Sequence, residues 1–244
     1  MQEIELKEIK KDYRSNEAYK SLRTNIEFSG EDNKVLVFTS CTPNEGKSTV
    51  TLALAQSLAE AGKKVLFIDA DLRKSVLAGR YNVNGQLKGL SHFLSGQTEL
   101  GEVMYRVKDT NMVMIFAGVV PPNPAELLAG KRFESLLTSA RKAYDYVIID
   151  APPLGSVIDA AIIAKQSDAS VLVISANTVS HKFAKVVKEQ LEKSGCPILG
   201  VVLNKVDMGQ NKYYGRYYGR YYGKYYGSYG DYGHEKEGKA EEEA

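Results

Sequence analysis

Lysine and serine follow a glycine in CTPNEGKST (Cys41–Thr49), and this stretch carries the plainest chemistry in the chain. Backbone N–H groups at a helix start can wrap phosphate oxygens. The Lys47 ammonium can neutralise β/γ charge, and the Ser48 hydroxyl can ligate Mg²⁺. The pattern G-x-x-x-x-G-K-[ST] is broken once, because Cys41 stands where its first glycine belongs. Thr42, Asn44, Glu45, Gly46, Lys47, Ser48 and Thr49 are the candidate nucleotide contacts. Asp69 and Asp71 close the apolar run VLFIDAD, and Asp150 closes YVIID. Carboxylates at such positions can orient Mg²⁺ or take the proton of an attacking hydroxyl. Asp150 reads as the metal-orienting carboxylate. Asp69 or Asp71 has a metal role or is the base. Asn204, in NKVD, is a candidate purine contact. Guanine is not inferred, because DAPP, which begins at Asp150, lacks the glycine of a GTPase switch.

The remaining chemistry is phenolic. Ten of sixteen tyrosines fall between Tyr213 and Tyr232 in a glycine-punctuated repeat: Tyr213, Tyr214, Tyr217, Tyr218, Tyr221, Tyr222, Tyr225, Tyr226, Tyr229 and Tyr232. A tyrosine hydroxyl titrates near pH ~10, so it attacks phosphorus well only beside a base and clamped phosphates. Lys212, Arg216, Arg220 and Lys224 make the repeat basic. Each phosphate added would contribute about −1.5 to −2, so three would reverse its sign. Without the rest of the chain, the repeat would read equally well as an adhesive low-complexity segment.

These groups need a scaffold that brings them together. KVLVFTS, KKVLFIDAD, NMVMIFAG, DYVIIDAPP, ASVLVISAN and ILGVVLNKV read as strands apolar on both faces. Between them, KSTVTLALAQSLAEAG, PPNPAELLAGKRFESLLTSARKAY and SHKFAKVVKEQLEKSG read as helices, the first capped by Gly62. That alternation predicts a doubly wound α/β fold with a mainly parallel sheet. All strand C-termini of such a sheet open on one edge, where phosphate loop and aspartates converge. SNEAYKSLRTNIEFSG predicts a further helix, N-capped by Ser15 or Asn16. The expected organisation is an N-terminal segment (1–33), a nucleotide domain (34–207) and a disordered tyrosine-rich tail (208–244).

Composition excludes other classes. A net charge of +2 over 244 residues argues against a nucleic-acid-binding surface. Two cysteines without CxxC spacing indicate neither a disulfide framework nor a zinc site. MQEIELKEIKK has no apolar signal-peptide core, and no run approaches the ~20 residues of a membrane span. The expectation is a cytoplasmic protein that meets a membrane only through a partner.

CTPNEGKST, VLFIDADLRK and YVIIDAPP together resemble the Walker A, A′ and B motifs of the bacterial tyrosine kinases (BY-kinases), P-loop NTPases of the deviant Walker A group. EAYKSLRTNI, PPNPAELL and the tyrosine cluster extend the resemblance over residues 13–232. It implies an ATP- and Mg²⁺-dependent autokinase that phosphorylates a neighbouring copy's tail and regulates capsule or exopolysaccharide synthesis and export. By the same resemblance, Lys47 holds the β/γ-phosphates. Ser48, Asp69 and Asp150 serve the metal, and Asp69 or Asp71 is the base. The oligomerisation motif E-x-x-R-x-x-R falls on Glu17, Lys20 and Arg23. Lys20 keeps the charge but not arginine's fork. Implied partners are a transmembrane activator at the inner membrane face, further copies in a ring, a cognate tyrosine phosphatase and the polysaccharide export machinery. Septum-site and partitioning ATPases share the three motifs and supply the alternative, a partner-switched ATPase. They carry a signature lysine where this chain has Thr42, and they have no need of a tyrosine tail. A nucleotide-gated scaffold without chemistry is the third reading.

Overall fold

The apolar runs become strands because each can bury both faces, and the computed structural model pairs them into one eight-stranded sheet. It describes residues 1–6, 13–80 and 87–206. In chain order the strands are β1 (Gln2–Ile4), β2 (Val35–Ser40), β3 (Val65–Asp69), β4 (Tyr105–Val107), β5 (Met112–Ile115), β6 (Tyr146–Asp150), β7 (Ala169–Ser175) and β8 (Ile198–Asn204). Their spatial order is β1-β4-β5-β3-β6-β2-β7-β8. Among the described residues every pairing is parallel except β4 with β5.

The helices are α1 (Tyr13–Phe28), α2 (Lys47–Glu60), α3 (Leu77–Arg80), α4 (Leu90–Leu94), α5 (Pro124–Ala129), α6 (Lys131–Ala143), α7 (Asp159–Ala164) and α8 (His181–Glu192). Alternation along the strands divides the core in two. Val35, Val37, Ile68, Val147 and Ile149 point to the layer holding Leu128, Phe133, Leu137, Ile163 and Leu191 of α5 to α8. Leu36, Phe38, Phe67 and Ile148 point the other way, to Leu52, Leu54 and Leu58 of α2 and Ile26 of α1. Each such buried leucine contributes roughly 1.5–3 kcal/mol. That burial positions α2, since its first residue follows Gly46 with no side-chain cap. Gly62 (φ +84) ends the helix in the left-handed conformation, as its sequence position predicts.

The structure departs from the sequence reading in three places. Gln2–Ile4 is a strand, pairing parallel with β4, although its charged surroundings gave no strand signal. The stretch from Pro124 to Ala143 is two helices, because Gly130 adopts extended backbone (φ −78, ψ 159) between them. Helix α1 is already formed at Tyr13, before the expected cap at Ser15 or Asn16. Met1–Asn204 forms one compact unit. Asp207, the ten tail tyrosines and the predicted disorder of 208–244 lie outside the described residues. Among the described residues no helix is long and apolar enough to cross a membrane.

The loop after β6 is fastened to β2. Thr39 Oγ1 donates to Pro152 O (2.8 Å) and accepts from Leu154 N (3.1 Å), and Leu154 N also reaches Ser40 O (2.9 Å). A Cβ on Gly155 would come within 2.2 Å of Cys41 O and 2.9 Å of Phe183 Cζ. Replacing Gly155→Ala should therefore force the phosphate loop and this loop apart and cost about 2 kcal/mol. In thermal unfolding that corresponds to a fall of about 4–8 °C for a chain of this size.

Candidate active site

Adjacent parallel strands place their last residues side by side, and here those residues are acidic. Asp69 and Asp150 are register partners at the ends of β3 and β6. Both are buried, at 0% and 1% exposure. One strand further along the sheet, β2 runs into the phosphate loop and α2. The Lys47 side chain leaves the first turn of α2 and places Nζ 2.5 Å from Asp150 Oδ1 and 3.3 Å from Ser48 Oγ. Lys47, Ser48, Asp69 and Asp150, predicted from separate motifs, thus share one sheet edge.

Burying two carboxylates beside each other has an electrostatic consequence. Burial pushes the Asp69 carboxyl up to about 7, and the Asp150 charge adds to the rise. The Ser75 hydrogen bond and the Lys47 charge pull it back in part. Asp69 Oδ2 accepts from Ser75 Oγ, and Oδ1 accepts from Asp71 N (3.3 Å). The Asp71 carboxylate turns back on its own loop, accepting from Arg73 N (3.3 Å) and Lys74 N (2.9 Å).

The phosphate loop is shaped from behind. Asn44 (φ 65) and Gly46 (φ 85) are left-handed, a backbone conformation that can turn neighbouring N–H groups toward an anion. Glu45, sequence-predicted as a nucleotide contact, is 1% exposed and faces inward. Its Oε1 accepts from Thr42 N (2.7 Å) and Thr42 Oγ1 (2.6 Å), while Oε2 accepts from Ser175 N at the end of β7 (3.2 Å). Asn204 donates to Glu45 O (2.9 Å), so its side chain steadies the same turn. Thr49 follows Ser48 in the first turn of α2, half-buried. Cys41 lies wholly buried under the loop, and burial pushes its thiol up to about 11. It is a small packing residue in the place of the usual glycine.

Sequence reasoning did not find the contacts made across the sheet edge. Arg73 grips the fully buried Asp159 with two bonds, Nε to Oδ2 (2.7 Å) and Nη2 to Oδ1 (2.9 Å). Asp159 opens α7 and had only the signature of an acidic first-turn residue. Its partner is 86 positions away, and no local pattern announces it.

The three predicted oligomerisation residues do not act alike. Glu17 and Lys20 pair with each other on α1 (2.8 Å), Lys20 exposed and Glu17 partly so. Arg23 turns inward and donates from Nη1 to Ser57 O (2.9 Å) and Ser57 Oγ (3.2 Å) of α2.

Ser48, Asp69 and Asp150 offer only oxygen donors, the chemistry that Mg²⁺ takes. Among the described residues no group of three or more His, Cys, Asp or Glu could hold a metal unaided. Mg²⁺ binds through one or two carboxylates plus phosphate oxygens, so this donor set fits it.

Comparison with known proteins agrees with this geometry. A family profile described as an AAA domain matches residues 34–193. Tyrosine-protein kinase CpsD of Streptococcus agalactiae is 44% identical over 194 residues, covering 80% of this chain and 85% of the relative. The kinase domain of the Escherichia coli tyrosine kinase ETK superposes with a TM-score of 0.73 at 34% identity, covering 81% of this chain and 79% of that one. The septum site-determining protein MinD of Pyrococcus horikoshii, complexed with Mg-ADP, is more distant: TM-score 0.61, 25% identity, 73% and 72% coverage. On the sequence match and the shared architecture, this chain belongs to the bacterial tyrosine kinases.

Proposed function

We propose that this chain is an ATP- and Mg²⁺-dependent autokinase that transfers the γ-phosphoryl group to the tyrosine cluster of a second copy. The observation that carries this reading is the meeting of Lys47, Ser48, Asp69 and Asp150 at one buried edge, in a chain that also carries the tyrosine repeat. ATP phosphates lie over the N-terminus of α2, and the Lys47 ammonium neutralises their charge. Ser48 and Asp150 would hold Mg²⁺, which would supply further charge neutralisation on the transferring group. The tyrosine oxygen forms a bond to the γ-phosphorus as the bond to the ADP oxygen breaks. The phenolic proton passes to Asp69.

Asp69 suits that last role better than Asp71. Its carboxyl, raised to about 7, is poised to accept a proton near neutral pH. The Asp71 carboxylate is instead committed to the turn that follows β3.

By the same family reading, a transmembrane activator docks the kinase at the inner membrane face. Copies assemble into a ring, with the outward Glu17–Lys20 face of α1 as a contact. A tyrosine phosphatase reverses the modification, and the output is control of capsule or exopolysaccharide export. Phosphates on the basic repeat turn it acidic and drive neighbouring copies apart.

Intact-mass spectrometry of the full chain with Mg²⁺-ATP, with and without an activator's cytoplasmic segment, tests the reading. Phosphates should accumulate on Tyr213–Tyr232 and be absent from Lys47→Met. ATP hydrolysis with an unmodified tail, activator present, would favour the partner-switched ATPase instead.

Asp69 yields a stability test as well. Its raised folded value means that folding favours the protonated form. Stability from this group is complete below its ordinary value of 3.8 and is lost as pH rises toward about 7. Asp69→Asn should therefore unfold at higher temperature than wild type without Mg²⁺ or nucleotide. The gap should widen from pH ~4 to pH ~7, reach about 2–4 kcal/mol and then level off. Phosphotransfer should be lost in the same variant. A constant gap across that range would contradict the assignment.

A further inference from the structure

The bidentate pair between Arg73 and Asp159 lies outside the phosphate loop and includes none of the aspartates of the catalytic motifs, yet it connects two of those motifs. Arg73 belongs to the turn that follows Asp69, and Asp159 opens the helix reached by the chain after Asp150. Asp159 is 0% exposed and Arg73 is 40% exposed in the side chain. A buried carboxylate without a partner is costly, so the guanidinium is held firmly where Asp159 fixes it. Two parallel bonds also fix its orientation.

The turn that Arg73 anchors clasps Asp69 from both sides. At one end the Asp71 N–H donates to Asp69 Oδ1 (3.3 Å), and at the other the Ser75 hydroxyl donates to Oδ2. Ser75 in turn accepts from Leu77 N (3.3 Å), tying the clasp to the start of α3. Arg73 is midway between Asp71 and Ser75. Where its side chain is pinned decides where both donors stand, and hence where the Asp69 oxygens point. Asp159 is pinned on the helix that follows the Asp150 loop. The ion pair therefore fixes the carboxylate of one strand relative to the carboxylate of the next.

We infer that Arg73 and Asp159 are positioning residues for phosphoryl transfer, holding Asp69 in register with Asp150 through the Asp71–Ser75 turn. This rests on the kinase reading with Asp69 as proton acceptor. Nucleotide binding, which belongs to the loop before α2, does not depend on the pair. Its loss should act on turnover and leave the affinity for ATP alone. Misplacement of a reacting group by ~1 Å is enough to cost about 10²-fold in rate.

The test uses the full chain as enzyme and full-length Lys47→Met protein as tail substrate, with the activator segment present. Asp159→Asn should lower kcat for tail phosphorylation by about 10- to 100-fold while the KM for ATP stays within about twofold. Since Asp159→Asn can also weaken the fold, the apolar replacement Arg73→Met with Asp159→Leu is measured beside it. That pair removes both charges together and should unfold at the wild-type temperature. Its kcat should remain low. Wild-type turnover in the apolar pair, or in a folded Asp159→Asn, would overturn the positioning role. So would a rise in KM that matches the fall in kcat. A wild-type enzyme that transfers no phosphate at all would instead remove the kinase reading beneath it.

Discussion

Two carboxylates at the ends of neighbouring parallel strands cannot avoid each other, and the rest of the molecule is arranged around that constraint. Strand register fixes the spacing of Asp69 and Asp150, and burial removes the water that would screen them. A cation is the physical remedy. The fold supplies one from the first turn of α2, where the Lys47 ammonium reaches Asp150 at 2.5 Å. That ammonium bonds to Asp150 and not to Asp69, so Asp69 is left to hydrogen bonds and to its proton. That difference between the two carboxylates is what the proposed mechanism uses, with Asp150 assigned to the metal and Asp69 to the proton.

Keeping that edge in place takes more structure than the edge itself. Glu45 spans from the phosphate loop to the end of β7, and Asn204 props the same turn from β8. Thr39 and Gly155 fasten the chain after Asp150 against β2 and Cys41. Arg73 joins the turn after β3 to α7. Each contact crosses from one strand's loop to another's. These ties brace the loops against one another, which suits a site whose chemistry depends on placement more than on reactive groups.

Much of this was legible in the sequence, for physical reasons. Strands buried on both faces have an unmistakable composition, and strand C-termini in a parallel sheet must share an edge. Lys47, Asp69 and Asp150 could thus be brought together from their motifs alone. Glu45 was read as a ligand contact along with its neighbours in the phosphate loop. Its inward turn depends on an N–H of Ser175, which no local pattern reveals. Arg23 was read with Glu17 and Lys20 by spacing, yet its guanidinium found Ser57 on the next helix. The short strand Gln2–Ile4 was invisible because it borrows its pairing from Tyr105–Val107, distant in the chain. In each case the missing information was the partner, and the partner was far away in sequence.

The placement of Cys41 has a practical side. A thiol near 11 is ionised in only about one molecule in ten thousand at neutral pH, and it is the thiolate that reacts. Cys196 is also buried, at 7% exposure, with its thiol pushed up by the same cause. Burial and the raised thiol pKa together lower the reactivity of both native sulfurs toward alkylating reagents and peroxides. A single cysteine introduced on the surface, beside the catalytic edge or on the outward face of α1, would carry a fluorophore or spin label without first stripping the chain of its own.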